Sequence, residues 1–126
     1  LGFLAVNKMI PLLLSMTLFA SPLQRADEVC PCHIRSDEIQ QIIDQMTEAV
    51  TAEGITAPQI GIQKRIIVLN KDVYIDPEII WKSEAAATEK ILVRAYDREG
   101  NIMLRELEAD EAHTFQRAID YLDGKR

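Results

Sequence analysis

The chain has 126 residues, 48% of them apolar, which suits one small folded domain and excludes an intrinsically disordered protein. Its 14 Lys and Arg against 20 Asp and Glu give a net charge of −6. That balance, with no long basic run, excludes general affinity for nucleic acid, which needs clustered cations to displace counterions.

The N-terminal part supports two readings. Lys8 precedes the apolar run Met9 to Ala20 (MIPLLLSMTLFA). This has the charged and hydrophobic parts of a signal peptide, but Leu18 sits where a small residue is expected before cleavage. The run is too short for a membrane-spanning helix, so no membrane partner is expected. The chain starts with Leu, so residues 1–8 read as an extension upstream of a start at Met9.

Cys30, Pro31, Cys32 and His33 follow. A one-residue gap rarely suits disulfide geometry, so a reducing compartment is the simpler reading. Thiolates and an imidazole are soft-metal ligands, but structural zinc sites use four ligands and wider Cys spacing. Such cysteines are expected more often as small buried apolar groups.

Ser36-Asp37-Glu38 reads as a helix start, with Ser as cap and acids at the positive end of the dipole. Ile39, Ile42, Ile43, Met46 and Val50 recur at helical intervals and predict one apolar stripe over 37–52, stopped by Gly54. Pro58 and Gly61 make 55–61 an irregular or edge segment. Arg65 to Leu69 is a β-branched strand. Val73 to Ile75 and Ile79 to Trp81 read as two short extended pieces around a turn at Asp76-Pro77. Glu84 to Glu89 (EAAATE) reads as a linker. Ile91 to Tyr96 and Ile102 to Leu107 pair as a hairpin around Asp97 to Asn101. Ala112, Phe115, Ile119 and Leu122 mark the buried face of a helix over 110–122 that Gly124 stops. Strands and helices do not alternate, so the class is α+β: a mainly antiparallel sheet with a helix in the N-terminal half and a second at the C-terminal end. One domain over 1–126 is expected.

Catalytic side chains are scarce. There are two His and two Cys, and no HExxH, CxxC or GxSxG pattern. His113 has no ligand partner nearby in sequence and is expected to be a partly exposed structural residue.

Two stretches nevertheless carry a resemblance. Gly54 to Gly61 (GITAPQIG), followed by Lys64 to Val68, is similar to the GxGLAAPQxG segment of peptide deformylases and the strand after it; Ala52 stands at that pattern's first glycine. Gln116 to Gly124 (QRAIDYLDG) is similar to the family's QHExDHLxG helix. Between them, Ile75 to Ile80 resembles an INPEI strand and Val93 to Gly100 a VxxxDxxG hairpin, while Pro22 to Val29 fits a PxLRxxAxxV opening. On this reading Met9 to Leu13 is an apolar opening strand rather than a signal peptide, and the protein is cytoplasmic. Export remains the alternative if Met9–Ala20 is cleaved.

The resemblance implies a protein-biosynthesis activity: removal of the N-formyl group from the formylmethionine of new polypeptides. The family uses Fe2+ or Zn2+, held by both His of HExxH and the Cys of an EGCLS motif, with the Glu as general base. Carried over, the first His is Arg117, the Glu is Ala118 and the second His is Tyr121. The EGCLS segment is absent, the chain passing from Glu89 to Lys90-Ile91, and so are the residues that follow the helix in the family. Gln59, a vestigial oxyanion donor, and Gly54, a motif glycine, survive beside Gly61. Asp120 stands where the motif has no ligand and is expected to cap or salt-bridge locally. Arg117 would put a fixed positive charge in the cation's place, and a phenol stays protonated at neutral pH. The expectation is a shortened, catalytically inactive deformylase-like pseudoenzyme with no metal and no cofactor. Two alternatives stand beside it: a non-catalytic module binding N-terminal Met peptides, and a metallohydrolase whose site is rebuilt from Cys30, Cys32 and His33.

Overall fold

The computed structural model describes residues 24–83 and 89–125. The expectations for residues 1–8, for Met9–Ala20 and for all of the linker but Glu89 lie outside that range.

Five strands form one antiparallel sheet in chain order: β1 (Ile55–Thr56), β2 (Ile66–Leu69), β3 (Asp72–Lys82), β4 (Lys90–Tyr96) and β5 (Ile102–Glu108). Helix α1 (Asp37–Ala49) precedes the sheet and α2 (Ala109–Leu122) follows it. This is the expected α+β class. Side chains alternate across a strand, and β2 shows it plainly. Ile67 and Leu69 join a core with Tyr74, Val93, Phe115 and Leu122 on the α2 side. Ile66 and Val68 join Ile39, Ile43, Met46 and Ile75 on the α1 side. All four β2 residues are therefore buried, as for a strand covered on both faces.

Helix α1 begins as its sequence dictates. Ser36 has extended backbone angles, and its Oγ accepts the Ile39 N–H at 3.4 Å. Ile39, Ile42, Ile43 and Met46 are buried. The helix stops at Ala49, short of the expected residue 52, because Val50 turns extended (φ −66°, ψ 142°). The Thr51 Oγ1 and carbonyl then accept the N–H groups of Glu53 and Gly54. These bonds, one to the side chain and one to the backbone, offer the chain an alternative to further helix.

The expected turn at Asp76-Pro77 is a bulge within one long strand. The β3–β4 register slips between Ile75 and Glu78. Pro77 has no N–H for the ladder, and Asp76 sits at φ +52°. The Asp76 N–H bonds the Arg65 carbonyl at 2.8 Å. Its carboxylate accepts the Val29 N–H at 2.7 Å, and burial pushes its pKa up. The β2–β3 turn, Asn70-Lys71, has both residues at positive φ, the twist that two-residue hairpins favour.

Helix α2 buries Ala112, Phe115, Ile119 and Leu122. Its C-terminal end is fastened by Arg65, which is 5% exposed. Arg65 donates to the Leu122 carbonyl at 3.2 Å and pairs with Asp123 at 2.9 Å. Gly124 (φ +81°) closes against Gln24 and Arg25, where an added Cβ would stand 2.9 Å from the Gln24 carbonyl carbon. No helix among the described residues is long and apolar enough to cross a membrane.

Candidate functional site

The sheet edge at β1 and the outward face of α2 enclose a cavity of about 410 Å³. Gly54, Thr56 and Gln59 line one wall; Thr114, Arg117, Ala118 and Tyr121 line the other, with Ile67 and Leu69 at the floor. Gly54, Gln59, Arg117, Ala118 and Tyr121, five of the positions singled out from the two motifs, therefore lie on one groove, while Ala52, Gly61 and Asp120 do not line it.

The β1 wall is tightly specified. Gly54 has φ +79°, and a Cβ there would meet the Val68 carbonyl oxygen at 2.9 Å and Leu69 Cδ1 at 3.0 Å. Only glycine fits without a shift in backbone, so Gly54 sets how closely the segment approaches β2. After Thr56 the chain enters a 3₁₀ turn, Ala57–Ile60, which Gly61 ends at φ +85°. Gln59 Oε1 accepts from the Thr56 N–H at 2.7 Å and the Thr56 hydroxyl at 3.1 Å. These two bonds fix the amide plane through its oxygen and leave its NH₂ as the donor end.

The α2 wall carries different chemistry. Arg117 is largely exposed and reaches Glu53 at 4.0 Å, a long ion pair across the groove rim. The guanidinium is thus drawn to the rim, a refinement of the expectation that it fills the cation's place. Ala118 packs against the α2-side core, and Tyr121 is 36% exposed. Asp120 accepts from the neutral Gln116 Nε2 at 3.2 Å, a local hydrogen bond rather than the cap or salt bridge expected of it. Asp123, which the sequence reading passed over, holds Arg65 instead. Charge order along the chain carries no sign of that long-range pair. His113 is exposed and lies 3.6 Å from Glu89.

The cysteines correct an expectation. Both are exposed rather than buried. Cys30-Pro31-Cys32-His33 forms one 3₁₀ turn ahead of α1. A hydrogen bond between the thiols pulls Cys30 below the usual thiol pKa and pushes Cys32 above it. None of the four residues lines the groove.

A family model of polypeptide deformylase matches residues 22–90. Solved structures agree along most of the chain. The peptide deformylase of Plasmodium falciparum, in complex with an inhibitor, is 25% identical with a TM-score of 0.62, over 82% of this chain and 78% of that one. A class I type b enzyme from Acinetobacter baumannii with Met-Ala-Ser bound is 21% identical with a TM-score of 0.74, over 82% and 88%. A deformylase from Vibrio parahaemolyticus bacteriophage VP16T, in complex with actinonin, is 24% identical with a TM-score of 0.69, over 85% and 95%. This chain belongs to the polypeptide deformylase family. The match ends at Lys90, next to the point where the EGCLS segment is lacking.

Proposed function

We propose that this protein is a non-catalytic, cytoplasmic member of the deformylase family, forming a single domain. One observation carries the reading: Arg117, Ala118 and Tyr121 occupy the α2 wall at the positions of the motif's two ligand His and its Glu. A hydrolytic divalent cation takes three protein ligands and an open position for water. Among the described residues, the one cluster of three His, Cys, Asp or Glu with converging ligand atoms is Cys30, Cys32 and His33, and it does not line the groove. The groove's donor set therefore does not fit the family's metal. Placement on another face also argues against a groove site rebuilt from that cluster. Gln59 alone can polarise a carbonyl but supplies no nucleophile. Two exposed free thiols suit a reducing compartment.

The deciding assay is hydrolysis of a formyl-Met peptide by the purified chain with iron, nickel or cobalt in excess. Turnover equal to the protein-free control is expected; metal-dependent turnover overturns the reading.

A second reading, a peptide-binding module, rests on the intact β1 wall. The Acinetobacter relative holds Met-Ala-Ser, and among the described residues β1 is an edge strand of the sheet, the kind of position that takes strand addition. Saturable binding of Met peptides, formylated or not, in a calorimetric titration would establish it, and flat heats would dismiss it.

A further inference from the structure

The turn at residues 30–33 is exposed and buries none of its own side chains. It is held between two buried anchors, Val29 at 3% and Ile34 at 0% exposure. The His33 N–H closes onto the Cys30 carbonyl at 2.8 Å, and the Ser36 N–H onto the His33 carbonyl at 3.0 Å. The Val29 N–H is tied to Asp76 at 2.7 Å. Pro31 fixes its own φ inside the turn. Cys30, Cys32 and His33 are themselves exposed. Cysteine is among the most buried residue types, so two thiols in solvent beside an imidazole call for an explanation other than packing.

Geometry supplies one. One ligand atom from each of the three residues lies within 4.8 Å of the other two. A tetrahedral ion with M–S of about 2.3 Å and M–N of about 2.0 Å keeps its donors roughly 3.5–3.8 Å apart. The atoms need to close by only about 1 Å, which side-chain rotation on a fixed turn provides. We propose that Cys30, Cys32 and His33 bind one thiophilic d¹⁰ cation, Zn2+ or Cu+, on the surface, with one coordination position left to water or another donor. The donor set selects the ion: two thiolates and an imidazole favour soft or borderline metals over Mg2+ and Ca2+, which take oxygen ligands. The ion sits apart from the groove, so the inference does not depend on whether the groove is catalytic.

The test uses the full chain, reduced and metal-free. Co2+ is titrated in as a spectroscopic probe and then displaced by Zn2+; a parallel anaerobic arm titrates Cu+ against a chromogenic chelator. One equivalent of Co2+ with thiolate-to-metal charge-transfer bands, bleached by one equivalent of Zn2+, is expected for a zinc site. Cu+ retained against the chelator, with Zn2+ failing to bind, identifies a copper site. Binding of neither ion overturns the proposal. The double variant Cys30→Ser/Cys32→Ser should lose about 100-fold or more in affinity, since losing ligands exceeds the roughly 10–100-fold effect of groups behind them. Unchanged affinity would overturn the site. Alkylation of the unsubstituted chain, read by mass spectrometry, gives a check independent of variant folding: the bound ion should protect Cys30 and Cys32, and equal labelling with and without it counts against the site.

Discussion

The two walls of the groove are held in place by different forces. On the β1 wall, backbone geometry and the motif residues coincide. Gly54 must be glycine because an added Cβ would stand 2.9 Å from the Val68 carbonyl oxygen, and the Gln59 side chain accepts the Thr56 N–H at the start of its own turn. On the α2 wall they separate. Phe115, Ile119 and Leu122 face inward and keep the buried pattern, while Arg117, Ala118 and Tyr121 line the groove and carry none of the motif's chemistry. A side chain that packs is constrained by the stability of the fold; one that faces a groove is constrained only by what the groove does. The match to the family motif therefore persists on the wall where a change would cost folding energy.

That contrast is open to attack at four places. The largest effect should come from Phe115→Ala. Phe115 is 0% exposed and meets Tyr74 edge-on, with centroids 4.9 Å apart at 67°. A loss of about 3–5 kcal/mol is expected from denaturant unfolding, a large share of the roughly 5–15 kcal/mol available to a small domain. Gly54→Ala should cost about 3 kcal/mol by the same measurement, from the positive φ together with the collision against β2. A neutral result there would mean that Gly54 belongs to the groove's chemistry and not to its frame.

The third effect is alkaline. Burial first, then the Asp72 charge, pushes the Tyr74 pKa up to about 12. An unfolded phenol ionises near about pH 10. Between these values the folded chain holds a proton that the unfolded chain has released, so stability falls as pH rises through that window, by up to about 2–3 kcal/mol. Unfolding curves across this range should show the slope, and Tyr74→Phe should reduce it. The smallest effect belongs to the other wall: Arg117→Ala should alter stability by less than about 0.5 kcal/mol, because its pairing with Glu53 is long and exposed. A larger loss would show that the α2 wall is structural too.

Local patterns in the sequence carried most of the fold. Ser36, the stripe from Ile39 to Met46, the β4–β5 hairpin and the face of α2 are all set by neighbours a few residues apart. What stayed hidden was non-local. The bulge at Asp76-Pro77 looks like a turn until β4 pairs on both sides of it. Arg65 reads as the first residue of a strand until Asp123 and the Leu122 carbonyl arrive from the far end of the chain. For the site, motif spacing identified Gly54, Gln59, Arg117, Ala118 and Tyr121, and the fold gathers them on one cavity. Exposure of Cys30 and Cys32 was not legible, because a short turn between two buried anchors leaves the same residue pattern as a buried one.

The strand β2 has a consequence for how the molecule comes apart. The α1-side and α2-side cores have no residue in common, yet both are built on the one strand β2, Ile66 and Val68 joining the first and Ile67 and Leu69 the second. Melting either core alone would leave half of that strand's side chains facing water while the other half stayed packed. Each core thus raises the penalty for losing the other, and two separate apolar clusters behave as one cooperative unit with β2 as its shared wall.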